Sequence, residues 1–285
     1  MSKKVLIITY YWPPSGGAGV QRWLKFVKYL AKKEFDITIY TPSNPDFETK
    51  DELLLKEIPS SVKIITKPII EPFSIYRKFT KESAASVQGG SLSSDNINWK
   101  KKLAIWIRGN FFIPDARFLW INPSVKFLSK ELKSNNYDSI ITTGPPHSMH
   151  LIGLKLKRKF PSIKWIADFR DPWTNIDFYK DLKLTKIADY KHKKLEKKVL
   201  ERADEVITVG ETLKNELINL GAKKCTIITN GFDYDDLSNS APKEDHEKFI
   251  ISHIGTLGWS RNPSNLWDSL EEIVKRNIES IFFSR

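Results

Sequence analysis

The sequence predicts an α/β fold with a doubly wound parallel sheet, and three observations lead there. Apolar, β-branched runs recur between amphipathic stretches along most of the 285 residues. The first run, 5–9, leads through Tyr10-Tyr11-Trp12-Pro13-Pro14-Ser15-Gly16-Gly17-Ala18-Gly19 into a helical pattern. The same succession of strand, turn and helix starts afresh after a polar break near residue 240. Strands that alternate with helices form parallel sheets covered on both faces, because each crossover carries a helix back over the sheet.

In order, strands are predicted at 5–9, 37–40, 62–66, 139–142, 164–167, 205–209 and 225–229, with helices at 20–32, 125–134, 148–158, 186–202 and 212–220. Residues 83–98, with Gly89-Gly90-Ser91 and Ser93-Ser94-Asp95, interrupt the rhythm and read as a loop. Residues 1–237 are therefore expected to form one doubly wound domain, 238–248 a linker and 249–285 the start of a second domain. In that second part, 249–254 reads as a strand, 255–262 as a glycine-bearing turn and 263–276 as a helix, with Asn262 as N-cap and Pro263 in its first position. A single strand-helix unit cannot bury its own apolar face, so this domain is incomplete or docked on the first.

The glycines after the first strand permit positive φ and let backbone N–H groups approach a ligand, while the following helix aims the positive end of its dipole at the same spot. An anionic or polyhydroxylated ligand fits there, with a plain strand-to-helix turn that binds nothing as the alternative. No Gly-Lys-Ser/Thr follows Gly19, which excludes a Walker A loop. A dinucleotide fingerprint would put its third glycine at Arg22, and the second strand ends in Thr41-Pro42 where an acid for a ribose belongs.

With 40% hydrophobic and 28% charged residues, the chain is globular and long enough for about two domains. No apolar run approaches the roughly 18 residues of a membrane span, and the stretch after Met1-Ser2-Lys3-Lys4 is too short for a secretory signal, so residence in the cytoplasm is expected. The lone Cys225 excludes an internal disulfide or a multi-cysteine zinc cluster and reads as a buried strand-end residue. A formal charge of +12 implies an anionic partner. Residues 99–133 set eight basic residues against two acidic ones, a net +6, among Trp99, Trp106, Phe111, Phe112, Phe118 and Trp120. Rings beside lysines describe a segment lying on an anionic membrane, with core aromatics under a solvated basic face as the alternative. No nucleic-acid module accompanies the charge, so nucleic acid is not an expected partner. His150, His192 and His246 read as surface residues.

Three further motifs end predicted strands, where open α/β sheets bind ligands: Gly144-Pro145-Pro146-His147-Ser148-Met149-His150, Ala167-Asp168-Phe169-Arg170-Asp171-Pro172-Trp173, and Asn230-Gly231-Phe232-Asp233. Together with the first loop and Gly255-Thr256-Leu257-Gly258, this succession resembles the retaining GT-B glycosyltransferases of glycosyltransferase family 4, truncated at the C-terminus. The resemblance implies a Rossmann-like acceptor-side domain followed by the first strand-helix unit of a Rossmann-like donor domain. It further implies that a sugar moves from a nucleotide diphosphate sugar to a lipid-linked or polysaccharide acceptor, with retention and without a cofactor, in cell-surface polysaccharide synthesis. Asp233-Tyr234-Asp235 is similar to the cation-holding pair of GT-A enzymes, but it follows an Asn-Gly turn at a domain boundary, where acids are commonly solvated, and no metal is assigned.

Carried onto this sequence, the resemblance puts Gly16 and Gly17 under the donor diphosphate and transferred sugar, with the helix N-terminus after Gly19 stabilising the leaving group. His147, or Asp168, takes the catalytic contact to the sugar. Arg170 and Asp171 are substrate-binding candidates, an ion pair at a strand end being the other reading. Asn230 and Gly231 match the turn out of the first domain, and Arg261 matches a phosphate-binding base. A histidine at a helix N-terminus is biased toward neutral imidazole, with helix capping as its alternative role. The family's Glu-x7-Glu element falls beyond Arg285, so this stretch alone is expected to be inactive. A non-catalytic binding module of the same fold, and an NAD-dependent sugar-nucleotide enzyme, are the competing readings.

Overall fold

The computed structural model describes residues 2–47, 49–72, 99–237, 250–254 and 262–275. The predicted loop 83–98, the linker 238–248, His246, residues 255–260 and Arg261 lie outside the described residues. The chain divides into two compact units, Met1–Phe232 and Asp233–Arg285.

The first unit is an all-parallel sheet of seven strands: β1 (Lys4–Ile8), β2 (Asp36–Pro42), β3 (Lys63–Lys67), β4 (Ser139–Gly144), β5 (Lys164–Phe169), β6 (Glu205–Thr208) and β7 (Cys225–Ile227). Their spatial order is β3-β2-β1-β4-β5-β6-β7, so the winding reverses between β1 and β4. Among the described residues six α-helices accompany them: α1 (Ala18–Lys32), α2 (Trp99–Phe111), α3 (Ile121–Ser134), α4 (Ser148–Lys159), α5 (Lys186–Arg202) and α6 (Glu211–Asn219). The doubly wound reading is the architecture found.

Side-chain alternation explains why the strands are continuous apolar runs. In β1, Val5 and Ile7 join a core with Val20, Trp23, Leu24 and Val27 of α1, while Leu6 and Ile8 join the opposite core with Val125 and Leu128 of α3 and Ile152 of α4. Both faces of a covered parallel strand must be apolar. The α1 residues fall at i, i+3, i+4 and i+7, one helical stripe, and each fully buried aliphatic side chain contributes about 1.5–3 kcal/mol.

Three expectations need correction. Residues 99–111 form helix α2, which the sequence reading did not place. Its segment also splits by environment among the described side chains: Trp120 is core, stacked 4.9 Å from Tyr40, Phe112 and Phe118 are half-buried, and Trp106 and Phe111 are exposed. Cys225 is half-buried rather than buried, because β7 is the edge strand. In the second unit, α7 (Tyr234–Leu237) and α8 (Ser264–Lys275) are helical, but residues 250–254 of the expected strand carry no ladder. A strand exists through hydrogen bonds to a neighbour, and among the described residues of that unit there is no other strand. Asn262 Oδ1 accepts from Trp267 Nε1 at 2.5 Å, beside the start of α8.

Candidate functional site

The carboxyl ends of β1, β4, β5 and β7 bring together the first loop, 144–147, 169–173 and 228–231. Gly17, the residue before α1, has φ 82° and ψ 178°, a region essentially confined to glycine. No side chain caps α1 and its first turn has no acid, so Gly17 and Ala18 are exposed beside uncapped helix N–H groups. The loop before them is fixed: Gly16 N donates to Thr49 O at 3.0 Å and Asp51 N to Pro14 O at 2.9 Å. A side chain at Gly16 would meet Thr49 Oγ1 at 3.1 Å.

Asp168, at the end of β5, is fully buried. Its Oδ1 accepts from Arg22 Nη2 at 2.9 Å, and its Oδ2 accepts from Trp23 Nε1 (2.6 Å), Thr143 Oγ1 (3.0 Å) and Arg22 Nε (3.2 Å). Arg22 also donates through Nη1 to Ile228 O (2.9 Å) and Asn230 Oδ1 (3.0 Å). One guanidinium thus ties α1, β5 and the turn after β7. The side chain that occupies the third fingerprint position carries the edge of the sheet, a role that sequence reasoning missed. Gly231 in the same turn is exposed, with open space around a would-be Cβ.

Arg170 donates from Nη1 to Gly19 O at 2.8 Å and from Nη2 to Pro145 O at 3.4 Å, and pairs with Asp171 Oδ2 at 3.4 Å. It therefore bridges three of the converging loops, with the Asp171 side chain 46% exposed at the rim.

His147 precedes α4, and its imidazole makes no capping bond. The cap comes from Asp115, which accepts Ser148 N at 2.8 Å and Ser148 Oγ at 2.7 Å and satisfies a donor that the helix leaves open. The His147 ring lies flat on Trp173, with centroids 4.8 Å apart and planes within 2°. Burial, then the neighbouring His150, His192 and Arg170, hold its pKa well below the ordinary histidine value, so it is neutral at pH 7. Burial, not the helix N-terminus, is the largest cause of that lowering.

His150 and His192 are buried, not on the surface. His150 stacks on Phe169 at 4.4 Å and shares a 2.9 Å hydrogen bond between Nδ1 and Thr142 Oγ1. His192 Nδ1 accepts from Trp173 Nε1 at 3.1 Å. A histidine with one acceptor nitrogen and one donor is easily satisfied inside a core, which a reading of polarity misses.

Two hollows flank this edge. A cavity of about 120 Å³ is lined by Phe112, Pro145, Pro146, His147, Trp173 and Tyr179. A groove of about 360 Å³ lies over the ends of β1 to β3, between Trp12, Pro14, Pro42 and Phe47. Between them Tyr10 OH donates to the buried Glu71 carboxylate and accepts from Arg117 Nη2 at 3.2 Å, which anchors the start of the first loop.

A sheet wound this way, with its loops meeting where the winding reverses, defines a Rossmann-like α/β domain, and in open sheets of this kind the β1/β4 crevice is the candidate ligand edge. The chain belongs to glycosyltransferase family 4, whose model matches residues 90–236. No curated protein matches the sequence. Among solved structures the chain is similar to sucrose-phosphate synthase from Thermosynechococcus elongatus, at 16% identity and TM-score 0.48, over 82% of this chain and 49% of that one. It is also similar to Phytolacca americana UGT2 in complex with UDP-2fluoro-glucose and pterostilbene, at 12% identity and TM-score 0.46, over 83% and 56%. MurG from Acinetobacter baumannii aligns at 14% identity and TM-score 0.30, over 82% and 70%. The chain spans about half the length of the first two.

Proposed function

We propose that the protein moves a sugar from a nucleotide diphosphate sugar to a lipid-linked or polysaccharide acceptor, with retention, in the synthesis of cell-surface polysaccharide. The observation that carries this reading is Gly17, whose backbone only glycine adopts readily, at the exposed and uncapped N-terminus of α1. Backbone N–H groups and the helix dipole there stabilise charge that develops on a departing diphosphate. His147, neutral and stacked on Trp173, contributes the polar contact to the sugar, and the cavity beside it receives the acceptor. Arg170 orders the loops around both. Arg261 supplies a phosphate-binding cation, and neither a metal nor a cofactor takes part.

The reading extends to a cytoplasmic protein held peripherally on the inner face of the membrane. Its support is α2, whose Leu103, Trp106, Ile107 and Phe111 are exposed in a segment of net +6. Among the described residues no helix is long and apolar enough to cross a membrane. Lys100, Lys101 and Lys102 changed together to alanine should weaken binding to anionic vesicles strongly at low salt, since each surface lysine contributes about 1 kcal/mol. Unchanged sedimentation removes the membrane contact.

A thermal-shift panel of UDP, GDP, ADP and their sugars tests the donor site. A ligand at 100 times its Kd stabilises by about 2.7 kcal/mol. Stabilisation by one nucleotide family supports the reading. Silence across the panel overturns it for this chain, and binding without sugar transfer favours a non-catalytic module.

A further inference from the structure

On the face covered by α3 and α4 lies a groove of about 550 Å³, shared by both helices and sharing no residue with the carboxyl edge of the sheet. Lys126, Lys155, Arg158 and Lys159 line it, with Asn122 and Ser129 between them. No acidic residue lines it.

The absence of acid is built into the two helices. α4 contains none, and the only one in α3, Glu131, is engaged elsewhere by Lys63 (3.5 Å), Asn135 (3.0 Å) and Tyr137 (2.9 Å). Lys157 of α4 is likewise drawn to Asp204 at 2.7 Å. Among the described residues, the four cations of the groove have no carboxylate partner: Lys155 donates to Asn122 Oδ1 (2.6 Å) and Lys159 to Ser129 Oγ (3.5 Å), both neutral acceptors. The dipole of α4 favours Arg158 and Lys159 in its last turn. It does nothing for Lys126, which stands in the first half of α3. Like charges held within a Debye length, about 8 Å in physiological salt, repel, and a multivalent anion seated among them removes that cost.

We propose that this groove binds a phosphate-bearing ligand, either a free polyphosphate or the phosphate of an acidic lipid headgroup. Arg158 offers a planar fork to two phosphate oxygens, and the lysines add point charges around it. The Asn122 side-chain amide adds neutral N–H donors at the same wall. A concave site of this kind suits a discrete phosphate group better than a flat charged surface. The inference stands on the groove alone and does not depend on the sugar-transfer reading.

Two probes test it: tripolyphosphate by titration calorimetry, and flotation with phosphatidylglycerol vesicles in a phosphatidylcholine background. The double variant Lys126→Gln/Arg158→Gln is compared with Lys191→Gln/Lys198→Gln, which removes the same charge from exposed positions of α5. The groove pair should lose about tenfold or more in affinity for at least one probe, while the α5 pair stays near the parent. Loss against tripolyphosphate assigns the phosphate to a free ligand, and loss against vesicles alone assigns it to a headgroup. Equal losses in the two pairs, or no binding of either probe by the parent, would overturn the proposal. Circular dichroism of each variant separates a binding defect from a folding defect.

Discussion

Arg22 Nη2 and Asp168 Oδ1 meet at 2.9 Å in a buried ion pair, the carboxylate of which is saturated by α1 and β4. Removing one partner strands the other charge in the core, a change that costs about 3–5 kcal/mol. Arg22→Met is expected to lower unfolding free energy by that amount in urea, and Arg22→Met/Asp168→Leu to recover much of it. If Asp168→Asn instead left stability untouched and abolished transfer, Asp168 would belong to the substrate.

Gly17→Val separates the ligand role of the first loop from its role in folding. Its φ of 82° and ψ of 178° cost a non-glycine residue about 1–3 kcal/mol, and a β-branched side chain obstructs the approach to α1. A folded variant without transfer is expected, read by circular dichroism and a sugar-transfer assay. Full transfer by a folded Gly17→Val protein would make the loop purely structural.

His147→Ala should be milder. It deletes one neutral hydrogen bond of about 0.5–1.5 kcal/mol, a loss of roughly 2- to 13-fold in turnover. Its stacking on Trp173 gives a second readout, since tryptophan emission should change when the imidazole leaves. Turnover that falls as far as in Gly17→Val would contradict this ranking.

The buried imidazoles make stability depend on pH. Burial lowers the His150 pKa to about 3, against an ordinary value near 6.5, so the unfolded chain takes up the proton first. Its contribution is complete above about pH 6.5 and is lost as pH falls toward 3. At pH 5, about 1.5 units below the unfolded value, His150 alone should remove about 2 kcal/mol. His147 and His192, also lowered by burial, act in the same direction. Urea unfolding at pH 7 and pH 5 should show the difference, and His150→Phe should reduce it. A parent protein equally stable at both pH values would contradict the burial of these rings.

The sheet was legible because a strand covered on both faces is written as a continuous apolar run, as in Lys4–Ile8. Helix α2 was not, because Ala104 and Ile105 face inward while Leu103, Trp106 and Ile107 face out, which blurs the apolar stripe. The candidate site divides in the same way. A glycine with a special backbone is announced by its own turn, and Gly17 has one. The partners of His192 and Asp168 come from other elements of the fold, and no local spacing points to them.

The ion pair at the sheet edge also bears on synthesis. Arg22 is made 146 residues before the carboxylate that receives it, an interval of about 7–29 s at translation rates of ~5–20 residues per second. Through that interval the nascent α1 carries a guanidinium and an indole N–H whose eventual acceptor does not yet exist. Closure of the first unit is therefore a late event on the ribosome, and chains arrested before residue 168 should offer α1 to chaperones and proteases.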